Sequence, residues 1–203
     1  MRLTVLGATG GIGRLLLQQA LEEGHQVTAF ARAPKKIAIQ SPRLQLVAGD
    51  LFNVQQMADA IRGSDAVLSA FGPTTLRRTH LRRDFARTLV SAMRTSGVRR
   101  FLHVSSAFCF REGGLLYAFM TSTLFRNVTN DHCDADHELA QPDLEWTVLR
   151  PPRLLNGPAL GRLDVVPGRL ARGLTITRAD VAGFMMTETV APSYVRQLVG
   201  LSN

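Results

Sequence analysis

Gly7-Ala8-Thr9-Gly10-Gly11-Ile12-Gly13 is the stretch on which the reading of this chain turns. It follows the apolar run Arg2 to Leu6 and opens an amphipathic segment, Ile12 to Glu23, whose Ile12, Leu15, Leu16 and Ala20 share one helical face. A strand that turns through glycines into a helix is the context a dinucleotide pyrophosphate requires. Gly7 permits the tight turn. Gly10 removes the Cβ that would keep the backbone away from the phosphates, and Gly13 lets the helix settle on the sheet. The unpaired N–H groups around Thr9, Gly11 and Ile12 then meet the anion at the positive end of the helix dipole. The competing reading is a bare strand-to-helix turn, and the strand–helix units downstream weigh against it.

Further strands read at Gln26 to Ala31, Leu44 to Ala48, Asp65 to Phe71 and Arg100 to Ser105. Helices read at Val54 to Arg62 and Leu81 to Thr95, stopped by Gly63 and Gly97. Ala66-Val67-Leu68 is apolar without alternation, as in a strand covered on both faces. Beyond them, Asp131 to Ala140 and Ala179 to Thr189 read as helices, Glu145 to Leu149 and Val195 to Val199 as strands. This order predicts an α/β fold: one Rossmann-like domain over residues 1–203, a doubly wound parallel sheet with its ligand across the carboxyl edge. Residues 151–173 hold Pro158, Pro167 and four glycines, and read as an excursion near that edge rather than a second domain.

The chain has 203 residues, 45% hydrophobic and 20% charged, which excludes a disordered or fibrous protein and suffices for a real core. No apolar run approaches the ~18 residues of a membrane span. The opening Met1-Arg2-Leu3-Thr4 lacks the pattern of a secretory signal. Cys109 and Cys133 have neither a CxxC spacing nor the density of a disulfide scaffold, so a cytoplasmic protein without a membrane partner is expected. The net charge is +8, and of the 24 basic residues only Lys35 and Lys36 are lysine. Arg77, Arg78, Arg82, Arg83 and Arg87 have helical spacing and read as a solvated helix face. They lack interleaved aromatics apart from the inward Phe85, which weighs against nucleic acid.

Phe30-Ala31-Arg32 ends the second strand with arginine, where an NAD-selective site carries Asp or Glu for the ribose hydroxyls. A guanidinium grips a 2′-phosphate by two parallel bonds and stacks on adenine, and Lys35 and Lys36 follow closely. The reading is NADP(H) rather than NAD, against a solvated basic loop. Asp50 and Leu51 end the third strand, with Asp50 toward the adenine amino group. Phe71 and Gly72 end the fourth and pass the adenosine ribose.

The usual short-chain dehydrogenase sets a lysine four residues after a tyrosine, lowering the tyrosine pKa for proton transfer. No such pair exists here: the last lysine is Lys36, the tyrosines are Tyr117 and Tyr194, and Thr121 stands four after Tyr117. Either the hydride acceptor needs little proton help, or coenzyme is bound without turnover.

The chain resembles the atypical branch of the short-chain dehydrogenase/reductase family that holds NADPH-dependent flavin and biliverdin reductases. The likeness runs over nearly the whole length. It rests on Gly7-Ala8-Thr9-Gly10 in GxxGxxG spacing, Arg32, Gly49-Asp50, Asp65-Ala66-Val67, Ser106-Ala107-Phe108, Asp131-His132, Pro151-Pro152, and Asp180 with Phe184-Met185. The resemblance implies a largely monomeric NADPH enzyme reducing a flavin such as FMN, a linear tetrapyrrole or a similar planar conjugated acceptor. A wider related group includes non-catalytic NADP(H) redox sensors, the alternative reading. The resemblance also implies that Ser105 and Pro151 lie near the nicotinamide, that His132 approaches the cofactor, and that Phe108 lines a flat acceptor pocket. Ser106 is the expected catalytic polar contact, with the proton drawn from solvent. The sequence departs from the family in three places: Arg153 replaces a histidine after the double proline, Arg111 a tryptophan and Pro73 a threonine. Arg153 favours an acceptor with carboxylates or phosphate.

Asp131 to Glu138 is dense in His, Cys and Asp. On a helix, however, His132 pairs with Asp136 and Cys133 with His137 on different faces, with no third ligand, so no metal is expected. His103, inside an apolar strand, reads as a satisfied core histidine.

Overall fold

The computed structural model describes residues 1–72, 80–110, 112, 123 and 126–203; Pro73, Arg77, Arg78, Arg111, Tyr117 and Thr121 lie outside the described residues. Strands β1 (Arg2–Leu6), β2 (Gln26–Ala31), β3 (Leu44–Ala48), β4 (Ala66–Ser69), β5 (Arg100–Val104) and β6 (Glu145–Arg150) run parallel in the order β3-β2-β1-β4-β5-β6. Two short strands, β7 (Arg153–Leu155) and β9 (Thr175–Thr177), pair in parallel apart from this sheet. Strand β10 (Gln197–Ser202) extends the main sheet parallel to β6, and β8 (Asp164–Pro167) closes that edge antiparallel to β10. The strand order reverses between β1 and β4, which opens a crevice above the carboxyl ends of the strands.

Sequence dictates which strands lie inside. β4 and β5 are buried at every position, so both of their faces must be covered. Helices α1 (Gly11–Glu22) and α5 (Arg178–Val190) cover one face, through Leu16, Leu17, Val181 and Met185. Helices α2 (Val54–Ile61), α3 (Leu81–Ser96) and α4 (Arg126–Leu139) cover the other, through Met57, Phe85, Leu89 and Leu139. Gly97 ends α3 at φ 78°, a left-handed conformation that disfavours a side chain. Among the described residues, no helix is long and apolar enough to cross a membrane.

Two departures from the sequence reading concern the second half. Helix α4 starts at Arg126, five residues before the expected Asp131, because polar Asn127, Thr129 and Asn130 hide its apolar period. Residues 151–173 contain β7 and β8, and β9 follows directly after them. Strands of three or four residues on partly exposed edges carry too little alternation to be read locally. The excursion is fastened by Asp180, whose carboxylate accepts the N–H groups of Leu160 at 2.9 Å and Gly161 at 3.0 Å.

Candidate coenzyme and acceptor site

The glycine turn is built by exclusion. Gly7 has φ +78°, and a Cβ there would stand 2.7 Å from the Ala70 carbonyl carbon. A Cβ on Gly13 would collide with the Gly7 carbonyl oxygen. Gly10 is different: its φ of −78° and ψ of 172° suit any residue. It caps α1 without a side-chain hydrogen bond, and the first turn of α1 carries no acid. The leading amides of the helix therefore open onto the cavity lined by Gly10, Gly11 and Ile12.

Two cavities share Gly10, Ala70, Phe71 and Gly72 as a common wall. The first, about 530 Å³, is lined by Gly7 and Thr9 on the turn, by Arg32 and Lys36 after β2, and by Leu51 after β3. The second, about 450 Å³, is lined by Gly11, Ile12, Ser105, Ser106, His132 and Pro151. Lys35, Asp50, Phe108 and Arg153 line neither. A 3-10 turn over Pro34–Lys36 points adjacent side chains about 120° apart, so Lys36 lines the cavity and Lys35 does not. The Asp50 carboxylate accepts the Phe52 N–H at 3.1 Å and serves its own turn. Arg153 is exposed on β7, and Phe108 is partly buried on the 3-10 turn Ala107–Cys109.

Ser105 follows β5, its N–H donating to the Leu149 carbonyl at 2.7 Å and its Oγ lying 3.3 Å from His132 Nδ1. Ser106 Oγ accepts the Phe108 N–H at 3.3 Å, and among the described residues nothing takes its own proton, which can serve a ligand. The Pro151 carbonyl accepts the Ala107 N–H at 2.9 Å and pins the end of β6 beside this turn. Burial, assisted by the positive charge of Arg82, pushes His132 down to about 2. His103 is pushed down to about 3 by burial and by Arg82, and its Nδ1 meets Ser69 Oγ at 3.0 Å. Both imidazoles are therefore neutral at neutral pH. Burial pushes Asp136 up to about 6 against the pull of Arg150, whose Nε donates to Asp136 Oδ2 at 2.8 Å.

These groups set an acid limit on stability. The depressed histidines contribute stability that is complete above the ordinary value of 6.5 and is lost as pH falls toward their folded values. Asp136 acts in the opposite sense, since its burial cost is relieved as pH falls through about 6. At pH 5 the two histidines together cost about 4 kcal/mol and Asp136 returns about 1 kcal/mol. The unfolding midpoint is therefore expected to drop by about 5–10 °C between pH 7 and pH 5. Thermal melts across that range measure it. In His103→Asn the drop should shrink, and a pH-independent midpoint would contradict neutral buried imidazoles.

Three features depart from the sequence reading. Arg82 is not on a solvated face: it is 7% exposed, pairs with Asp131 at 3.2 Å and lines the second cavity. Helical spacing alone does not reveal that α4 covers this side of α3. Arg87, paired with Glu138 at 2.7 Å, does stand on the outer side. Cys109 and Cys133, 24 residues apart, are joined in a disulfide. The chain turns back between them, which spacing does not show. Finally, Arg178 lines the second cavity, and a Cβ on Gly11 would stand 2.8 Å from its Cδ. Arg178 Nη1 donates to Asn156 Oδ1 at 2.8 Å. A cation in the first position of a helix opposes the dipole, and this was the local signal that could have drawn attention to it. Three acids of α4 are occupied: Asp131 holds Arg82, Asp136 holds Arg150 and Glu138 holds Arg87.

A doubly wound parallel sheet, reversing at a glycine turn with cavities above it, defines a dinucleotide-binding α/β domain. The chain belongs to the NAD(P)H-binding family, whose pattern it matches over residues 7–192. The 3-beta-hydroxysteroid dehydrogenase of Mycolicibacterium neoaurum is 32% identical over 117 residues, covering 52% of this chain and 32% of that protein. The first curated relatives are thus matched over only about a third to a half of their own length. Among solved structures, the anaerobilin reductase ChuY of Escherichia coli O157:H7 is 26% identical, with 99% of this chain and 96% of that one covered and a TM-score of 0.83. A short-chain dehydrogenase/reductase of Veillonella parvula in complex with NADP shares the fold at 20% identity and a TM-score of 0.85, with 100% and 94% covered.

Proposed function

We propose that this protein is a monomeric, cytoplasmic NADPH-dependent reductase that passes hydride to a planar conjugated acceptor, a flavin or a linear tetrapyrrole. The observation that carries this reading is the pair of cavities joined at Gly10 and Gly72. One holds Arg32 and Lys36; the other holds Ser105, Ser106, Arg82 and Arg178 and no carboxylate among its described lining residues. The second cavity fits a flat anionic molecule seated against the nicotinamide, and Arg178, which lies across Gly11 of the turn, supplies positive charge both to that molecule and to the adjoining diphosphate. The likeness to ChuY, an anaerobilin reductase, supports the same class of acceptor.

The nicotinamide supplies the hydride. The chain's residues bind and orient. The turn from Gly7 to Ile12 and the leading amides of α1 hold the diphosphate. Arg32 reads the 2′-phosphate. Neutral His132 holds Ser105, while Ser106 donates to an acceptor oxygen or nitrogen, and the proton comes from solvent.

Steady-state NADPH oxidation with FMN, riboflavin and biliverdin tests this reading. FMN and biliverdin are expected to stimulate turnover, with riboflavin weaker because it lacks an anionic group. NADPH affinity without any acceptor-stimulated turnover would favour a redox sensor instead. Arg178→Met is expected to weaken NADPH and NADH binding alike, by roughly tenfold, since the diphosphate is common to both. A loss confined to NADPH would assign Arg178 to the 2′-phosphate.

A further inference from the structure

Cys109 ends the short turn that Ser106 caps, and Cys133 follows His132 on α4. Ser106 and His132 both line the second cavity. The Cα atoms of the bridged cysteines are 5.4 Å apart, within the range a disulfide spans without backbone movement. The bond therefore ties two walls of the cavity to each other. Both cysteines are partly exposed, so an attacking thiolate has access. The Thr129 carbonyl lies 3.8 Å from Cys109 Sγ and is ready to accept a released thiol. Arg150 Nη1 donates to the Cys109 carbonyl at 3.3 Å and holds the backbone of the turn at this cysteine. Helix α4 stays docked without the bond, through Arg82–Asp131 at 3.2 Å and Arg150–Asp136 at 2.8 Å. In a reducing compartment, a disulfide with these properties serves as a responsive bond rather than a staple.

We propose that Cys109–Cys133 is a reversible thiol–disulfide exchange site, through which an external dithiol sets the geometry of the Ser106 and His132 walls. One thiolate of the dithiol bonds to a bridge sulfur and releases the other as a thiolate. The second thiolate of the dithiol then attacks the dithiol's own sulfur in the mixed disulfide and releases the remaining bridge sulfur as a thiolate, which takes up a proton. The dithiol leaves as its own disulfide, and two electrons and two protons remain on Cys109 and Cys133. Oxidised, the turn and the helix are locked in register for the acceptor. Reduced, they keep noncovalent contacts such as Arg150 between the Cys109 carbonyl and Asp136, and lose the covalent register. The effect on turnover rests on the reductase reading above; the exchange itself does not.

The test uses the whole protein, treated with diamide or equilibrated in dithiothreitol buffers of graded redox ratio, then trapped with iodoacetamide and weighed. The oxidised form should carry no alkylated cysteine and the reduced form two, through one two-electron transition. Acceptor-dependent NADPH oxidation should fall on the order of tenfold on reduction. Cys109→Ser and Cys133→Ser should each stay at the reduced level in every buffer. If no acceptor supports turnover, the coupling is read by calorimetry as an NADPH affinity about threefold weaker in the reduced form, which keeps this outcome separate from the reductase reading. Two alkylated cysteines after diamide treatment would overturn the exchange. Complete exchange with identical turnover and NADPH affinity in both forms would overturn the coupling.

Discussion

Arg32→Asp is expected to weaken NADPH binding roughly 100-fold while leaving NADH within about threefold, the first being about 3 kcal/mol of lost affinity. Arg32 is exposed just beyond β2, and it lines the cavity together with Lys36 and the glycine turn. In the proposed site, a guanidinium there would make charge-assisted, bidentate bonds to a dianionic 2′-phosphate. The substitution removes that attraction and sets a carboxylate against the same phosphate. NADH has ribose hydroxyls at this position, and a carboxylate accepts hydrogen bonds from them. Calorimetry with both coenzymes at one fixed ionic strength makes the comparison, because exposed phosphate contacts are screened by salt. An equal loss for both coenzymes would remove Arg32 from the 2′-phosphate. Lys36 remains as a second cation, so Arg32→Ala should lose less than Arg32→Asp.

Gly10→Val should lose NADPH and NADH together, by more than about 100-fold, with the fold intact. Gly10 lies at φ −78° and ψ 172°, a conformation valine adopts without strain. A Cβ there comes 3.3 Å from the Gly7 carbonyl oxygen, a tight contact that the turn must ease by a few tenths of an ångström. The valine methyls therefore project toward the space that both cavities share, where the diphosphate must approach the α1 amides. Gly13→Val is the contrasting case: the Gly7 carbonyl already occupies the place of its Cβ, so that variant should fail to fold. Circular dichroism and calorimetry on the two variants separate the effects. A folded Gly10→Val protein that still binds either coenzyme at the wild-type level would move the diphosphate away from the turn.

Much of the fold was legible locally. β1, β2 and β3 begin and end where the apolar runs and their flanking glycines put them. α3 buries the expected Phe85, Leu89, Ala92 and Met93. These features depend on periodicity and on stop residues, which act over a few positions. β7, β8 and β9 escaped notice because each is held by a distant partner rather than by its own pattern. β8, for example, pairs with β10, more than thirty residues later.

The candidate site divides along the same line. The strand–turn–helix and the arginine after β2 can be read from residue order, because both lie within single strand–helix units whose geometry is local. Tertiary structure alone decided that Arg82 turns inward to Asp131, that Arg178 returns across Gly11, and that Cys109 meets Cys133. Each of these three closures joins segments from different helices or turns, and only packing of the helices on the sheet brings them within reach. Side-chain type and spacing along one segment say what a residue can bond to, whereas the crossing of two segments says what it does bond to.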